Sequence, residues 1–106
     1  MSGERTESLK LRLDHAWGHL TRAEMRMASG KFTLAMLDLN EALKLDPRFT
    51  EALVTRGYLR YLQNDSSGAL RDMKEANEIT DEKVKIVSYL DKLHGRIPPF
   101  TETPFP

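Results

Sequence analysis

The sequence of 106 residues contains no cysteine and no excess of charge of either sign. The absence of cysteine excludes disulfides, thiolate metal sites and cysteine nucleophiles, and it fits a reducing compartment such as the cytoplasm. Sixteen basic and sixteen acidic residues cancel, so no broad field favours nucleic acid or an anionic membrane. No apolar run approaches the length that spans a bilayer, and residues 1–14 show no signal-peptide pattern. We therefore expect a cytoplasmic protein without nucleic-acid or membrane partners.

Proline is scarce until the end of the chain. The first 46 residues have none, Pro47 stands alone, and the other four prolines lie within the last nine residues. Because proline breaks helices, we predict a helical domain over residues 1–95 and an extended, proline-rich tail over residues 96–106. The tail is expected either to be disordered or to dock on the domain through its apolar residues, Ile97, Phe100 and Phe105.

Apolar periodicity predicts five helices and no strand. In the first, Leu9, Leu13, Leu20 and Met27 recur at steps of four and seven, which places them on one helical face. Gly30 suits the left-handed backbone that ends a helix, and similar turn signals follow each later helix. The predicted helices cover about residues 6–28, 32–45, 50–63, 67–79 and 82–94, with Asn64 as a second left-handed residue and Ser66 or Ser67 as N-cap of the fourth helix.

The sequence repeats with a period of 34 residues. Aligning residues 16–47 with residues 50–81 gives seven identical pairs among 32, more than unrelated sequences of this composition would share. The pairs are Thr21/Thr55, Arg22/Arg56, Arg26/Arg60, Ala35/Ala69, Asp38/Asp72, Glu41/Glu75 and Ala42/Ala76.

This repeat resembles the tetratricopeptide family, whose unit of 34 residues forms two antiparallel helices. The resemblance rests in the first unit on Ala23, Gly30, Phe32, Ala35, Leu39, Ala42 and Asp46-Pro47, and in the second on Gly57, Ala69, Met73 and Ala76. It implies an all-α, right-handed superhelical stack of helix hairpins, with repeat 1 over about 16–49, repeat 2 over about 50–81 and a capping helix over about 82–94. The first unit lacks the family's Trp-Leu-Gly pattern in its usual register, and the first helix extends about ten residues upstream of the usual start.

Two features are expected to orient the hairpins. Small residues at Ala23 and Gly57 should face Ala35 and Ala69, so that the helix axes approach closely. Arg22 and Asp38 are sixteen residues apart, and Arg56 and Asp72 repeat this spacing in the second unit. It predicts an ion pair across each hairpin; the alternative is two solvated charges.

The resemblance also implies a ligand groove lined by the first helix of each unit. Its residues here would be Trp17, Leu20, Glu24, Met27, Glu51, Val54, Tyr58 and Tyr61. Aromatic side chains of this kind are good interface anchors; the alternative is that several of the eight pack against the fifth helix, the first helix or a second subunit. Family members that clamp an acidic chaperone tail use cations and amides where this chain has Leu20, Glu24 and Thr55, so we expect no such partner.

The sequence shows no motif for catalysis, metal or cofactor binding. His15 and His19 are four residues apart without an obvious third ligand, so we interpret them as an exposed, unrelated pair. We therefore expect no enzyme but an adaptor or scaffold that binds a protein or peptide partner. The alternatives are a structural subunit that self-associates, with a homodimer as the simplest case, and a non-catalytic regulatory subunit of an enzyme.

Overall fold

The computed structural model describes residues 2–80 and 89–93, with side chains from Ser8 onward. Its helices are α1 (Ser2–Ala28), α2 (Phe32–Leu45), α3 (Thr50–Leu62) and α4 (Ser66–Ile79). Residues 89–93 are also helical, and no strand occurs in either described range, so the predicted all-α class is confirmed. The rest of the predicted capping helix and the predicted tail over 96–106 lie outside the described residues. Within the described part of the chain, no helix has both the length and the hydropathy to cross a bilayer.

The turns between the helices follow the sequence signals closely. Gly30 and Asn64 both have left-handed backbone, with φ of 76° and 67°, as predicted. The N-cap of α4 is Asp65 and not Ser66 or Ser67, because the Asp65 side chain accepts a hydrogen bond of 2.9 Å from the Gly68 amide and Ser66 is already helical. The first helix begins at Ser2 instead of about residue 6.

Two antiparallel hairpins, α1–α2 and α3–α4, stack through contacts between α2 and α3. Small residues let the helices of each hairpin approach. Ala23 and Ala35 are fully buried in the first hairpin. In the second, a Cβ atom at Gly57 would lie 3.1 Å from Met73 Cε and 3.2 Å from the Ala69 carbonyl oxygen. The predicted close approach of the helices is therefore confirmed at Gly57 and Ala69 of the second hairpin, and in the first hairpin Ala23 and Ala35 are buried as expected.

Each hairpin is bridged by one buried aspartate that binds two arginines. Arg22 donates to Asp38 through Nε at 3.1 Å and Nη2 at 2.7 Å, and Arg26 donates through Nη1 at 2.8 Å. Asp38 is only 2% exposed. The predicted ion pair therefore exists in the first hairpin, and a second arginine one turn later completes it.

The second hairpin repeats this arrangement. Arg56 donates to Asp72 through Nε at 3.0 Å and Nη2 at 2.8 Å, and Arg60 donates through Nη1 at 2.8 Å. Asp72 is 3% exposed. Arg56 also donates through Nη1 to Asn40 Oδ1 at 3.0 Å, which ties the second hairpin to α2. Residues 34 apart thus occupy equivalent places in the two hairpins.

The two arginines decide the protonation of Asp38. Burial raises the pKa of Asp38, whereas the hydrogen bonds and charges of Arg22 and Arg26 lower it. Together the two arginines outweigh burial, so the pKa of Asp38 lies below its ordinary value. A carboxylate with a lowered pKa in the folded state stabilises the protein above its unfolded pKa, about 4, and that contribution is lost as the pH falls through the folded value.

We predict that Ala35→Leu and Ala69→Leu each lower the free energy of unfolding by about 1–3 kcal/mol, because a larger side chain overpacks the contact between the two helices. Thermal unfolding measures the effect as a lower Tm. The matched control is Ala28→Leu, since Ala28 is exposed at the end of α1. An unchanged Tm in both core variants would contradict the observed packing.

We predict that Asp38→Asn lowers the free energy of unfolding at pH 7 by about 1–3 kcal/mol, because charge-assisted hydrogen bonds become neutral ones. The gap between variant and wild type should narrow as the pH falls below about 4, because Asp38 then takes up a proton in the unfolded chain while the folded protein holds its carboxylate ionised to a lower pH. Urea denaturation at pH 7 and pH 3 provides the measurement. A gap that is the same at both values would show that the charge of Asp38 contributes nothing.

Candidate functional site

The structure divides the eight predicted groove residues among three environments. Leu20, Met27 and Val54 are buried in the core shared by the hairpins. They stabilise the fold, and a partner cannot reach them in this arrangement. The other five are Trp17, Glu24, Glu51, Tyr58 and Tyr61, and each is at least partly exposed or lines a cavity.

Trp17 lies at the junction of the two hairpins. Its ring contacts Phe49 edge-to-face, with centroids 4.7 Å apart and an interplanar angle of 62°. About half of the Trp17 side chain remains exposed. This residue therefore packs on the start of α3 with one part of its ring and faces solvent with the other.

Glu24 and Thr55 are joined by a tyrosine from the fifth helical segment, residues 89–93. The Tyr89 hydroxyl donates to Glu24 Oε2 at 2.5 Å and lies 2.9 Å from Thr55 Oγ1. The Thr55 hydroxyl, which carries a single hydrogen, also lies 2.7 Å from the Glu51 carbonyl oxygen. The first helices of both hairpins are thus covered at this point by the chain's own residues.

The Tyr89 hydroxyl acts as a stable hydrogen-bond donor. Burial and the hydrogen bond to Glu24 raise the pKa of Tyr89 far above its ordinary value, while the bond to Thr55 opposes them. The phenol therefore stays protonated at every physiological pH. This network holds residues 89–93 across α1 and α3 as a structural contact.

Tyr58 and Tyr61 line an apolar cavity between α3, α4 and residues 89–93. Its volume is about 640 Å³, within the range of about 300–1,000 Å³ typical of ligand sites. Burial, and secondarily the neighbouring Tyr61, raises the pKa of Tyr58, so its hydroxyl also stays protonated. The side chains that shape the cavity are Tyr58, Tyr61, Leu70, Met73, Leu90 and Asp91.

Four of these side chains, Leu70, Met73, Leu90 and Asp91, lie outside the first helix of each unit, where the resemblance places the groove, so they were not predicted. Tyr89 was not predicted either, although the sequence carries a signal for it. Tyr89 lies 34 residues after Thr55, and Leu93 lies 34 residues after Leu59; both leucines are fully buried. Extended past residue 81, the repeat offset pairs residues 89–93 with residues 55–59, in the middle of α3.

The described side chains contain no group of three or more histidine, aspartate and glutamate residues that could hold a metal ion. His19 Nδ1 lies 3.7 Å from Asp38 Oδ1, so this histidine belongs to the surroundings of the first ion-pair cluster. His15 is exposed.

No protein-family model matches the chain, and no curated protein or solved structure matches it significantly.

We predict that Tyr89→Phe lowers the free energy of unfolding by about 1–2 kcal/mol, because Glu24 and Thr55 lose their shared partner. A double-mutant cycle of Tyr89→Phe with Glu24→Gln should give a coupling energy of about 0.5–2 kcal/mol. Urea denaturation of the four proteins measures it. Effects that simply add would show that the two side chains do not interact.

Proposed function

We propose that this chain is a protein-interaction module of the tetratricopeptide type that binds a short apolar segment of a partner protein in the cavity between α3, α4 and residues 89–93. The observation that carries the proposal is the aromatic and aliphatic lining of this cavity. Sites of this kind bind by burying large apolar side chains of the partner. The location that suits this function is the cytoplasm, and the chain would act by binding and not by catalysis.

The exposure of the lining supports an open binding site. Leu70 is 57% exposed and Tyr61 is also exposed, whereas Tyr58 and Met73 form the less accessible floor. Burial of exposed apolar side chains favours association, against the entropy lost on binding. Tyrosine adds a large contact area for little loss of rotamer entropy.

The charge at the rim indicates the chemistry of the partner. Asp91 lines the cavity and is exposed. A lysine or arginine beside the apolar side chains of the partner would meet this carboxylate. We therefore propose a ligand segment with two apolar or aromatic residues and a neighbouring basic residue.

Self-association is the second candidate function, and the other exposed leucines of the chain favour it. Leu34 and Leu37 lie on α2, away from the cavity, and both are exposed. A structural subunit could bury this surface against a second copy. Sedimentation over a range of concentrations separates the candidates, since a monomer with an accessible cavity supports the interaction module. If the partner protein that binds in the cavity is an enzyme, the chain serves as its regulatory subunit.

We predict that peptides selected from a displayed random library on the wild-type chain lose at least about tenfold in affinity for Leu70→Ala. The matched control is Leu37→Ala. Leu37 lies on α2, the second helix of its hairpin, as Leu70 lies on α4, and both leucines are 57% exposed. Fluorescence anisotropy with the selected peptides measures each Kd. Asp91→Asn should weaken the peptides that carry a basic residue and leave the others unchanged.

Three results would contradict this function. One is a selection that yields no specific peptide from the wild-type chain. Another is an equal loss of affinity in Leu70→Ala and Leu37→Ala. The third is retention of full affinity by a Tyr61→Ala/Leu70→Ala double variant whose circular dichroism matches the wild type.

A further inference from the structure

The two hairpins differ in the exposure of one side of their first helix. With the 34-residue offset, Gly18 and Met25 of α1 correspond to Ala52 and Leu59 of α3. Ala52 and Leu59 are fully buried, whereas Met25 is 66% exposed. A Cβ atom on Gly18 would meet no atom within 4 Å. The helix α1 thus exposes a side that its counterpart α3 buries.

The structure itself shows what covers this side in the second hairpin. Arg56 lies on the same side of α3 as Ala52 and Leu59, at spacings of four and three residues. Its Nη1 donates to Asn40 of α2, while its Nε and Nη2 bind Asp72. The covering element is therefore a helix with a side-chain oxygen acceptor opposite the arginine.

Arg22 repeats the geometry of Arg56 in the first hairpin. Its Nε and Nη2 bind Asp38 in the same way, and its side chain is about half exposed. Leu11, seven residues before Gly18, extends the same side of α1 and is exposed. We define the stacking face as Leu11, Gly18, Arg22 and Met25.

We propose that the stacking face binds a helix of a partner protein, as α3 binds α2. The partner helix presents an asparagine, aspartate or glutamate to Arg22 and apolar side chains to Met25 and Leu11. Gly18 lets the partner backbone approach closely, because no side chain stands between the two helices. This interface is separate from the cavity of the proposed function.

Neither α2 nor α4 of a second copy is suited to supply this helix. The matching side of α2 already contacts α3. In α4 the position of Asn40 is taken by Lys74, whose charge would repel Arg22. The neighbouring α4 residues Leu70 and Met73 also line the cavity together with Leu90, so residues 89–93 stand on that side. Because α2 is already in contact with α3 and α4 carries Lys74 at the critical position, we infer that the partner helix belongs to a different protein.

A lactam-stapled, fluorescein-labelled peptide with the α2 sequence, residues 31–47, tests the stacking face. The staple removes the cost of forming a short isolated helix. Anisotropy with the full wild-type chain should show saturable binding. Met25→Glu in the chain should weaken it at least about tenfold, and so should Asn40→Lys in the peptide, which mimics Lys74. The matched control Leu37→Glu in the chain should change the Kd by less than about twofold.

Three results would overturn the proposal. Binding that is absent up to the solubility limit of the peptide, or that weakens equally in Met25→Glu and Leu37→Glu, would show that the stacking face binds no helix. A dimer in sedimentation that Met25→Glu abolishes would show that a second copy covers the face. Leu70→Ala should leave the stapled peptide's Kd unchanged, so this test fails or succeeds independently of the cavity.

Discussion

The buried aspartate that binds two arginines of the facing helix is the constraint on which the hairpins depend. A carboxylate removed from water is costly unless charged or polar partners surround it. Asp38 satisfies this requirement only when Arg22 and Arg26 lie one turn apart directly opposite it. Rotating either helix by one residue would separate the groups and leave the charge uncompensated. Apolar contacts alone would tolerate such a rotation more easily, because they have no direction.

This directional contact explains why the small residues succeed as close-packing sites. Once the Arg56–Asp72 bridge fixes the rotation of α3 against α4, Gly57 faces the Ala69 carbonyl. The two helices can then approach to the distance that only glycine or alanine allows. Since the bridge recurs in both hairpins, the second hairpin repeats the geometry of the first, and Asn40 connects them through Arg56.

The same repetition decides which surfaces are available for binding. Two stacked hairpins leave a large apolar area open, and short repeat arrays need some additional cover. Residues 89–93 provide it over α1 and α3, where Tyr89 meets Glu24 and Thr55. Two of the surfaces that stay accessible lie at opposite ends of the stack. The cavity beside α3 and α4 combines apolar walls with a carboxylate, whereas the stacking face on α1 combines an apolar stripe with a guanidinium group. Opposite charges at the two ends favour different partners.

The sequence by itself determined the features that depend on local spacing. The periodicity of apolar residues located the helices, and Gly30 and Asn64 marked left-handed turns. The spacing of sixteen residues paired Arg22 with Asp38 in the first unit and Arg56 with Asp72 in the second. Only the tertiary structure decided which of the groove candidates reach solvent. Leu20, Met27 and Val54 have the same pattern in sequence as exposed anchors, yet they are buried. A helical period tells which side chains share a face, and it carries no information about what covers that face. Burial is a property of the whole assembly of helices, including a fifth segment whose contacts lie 34 to 65 residues away along the chain.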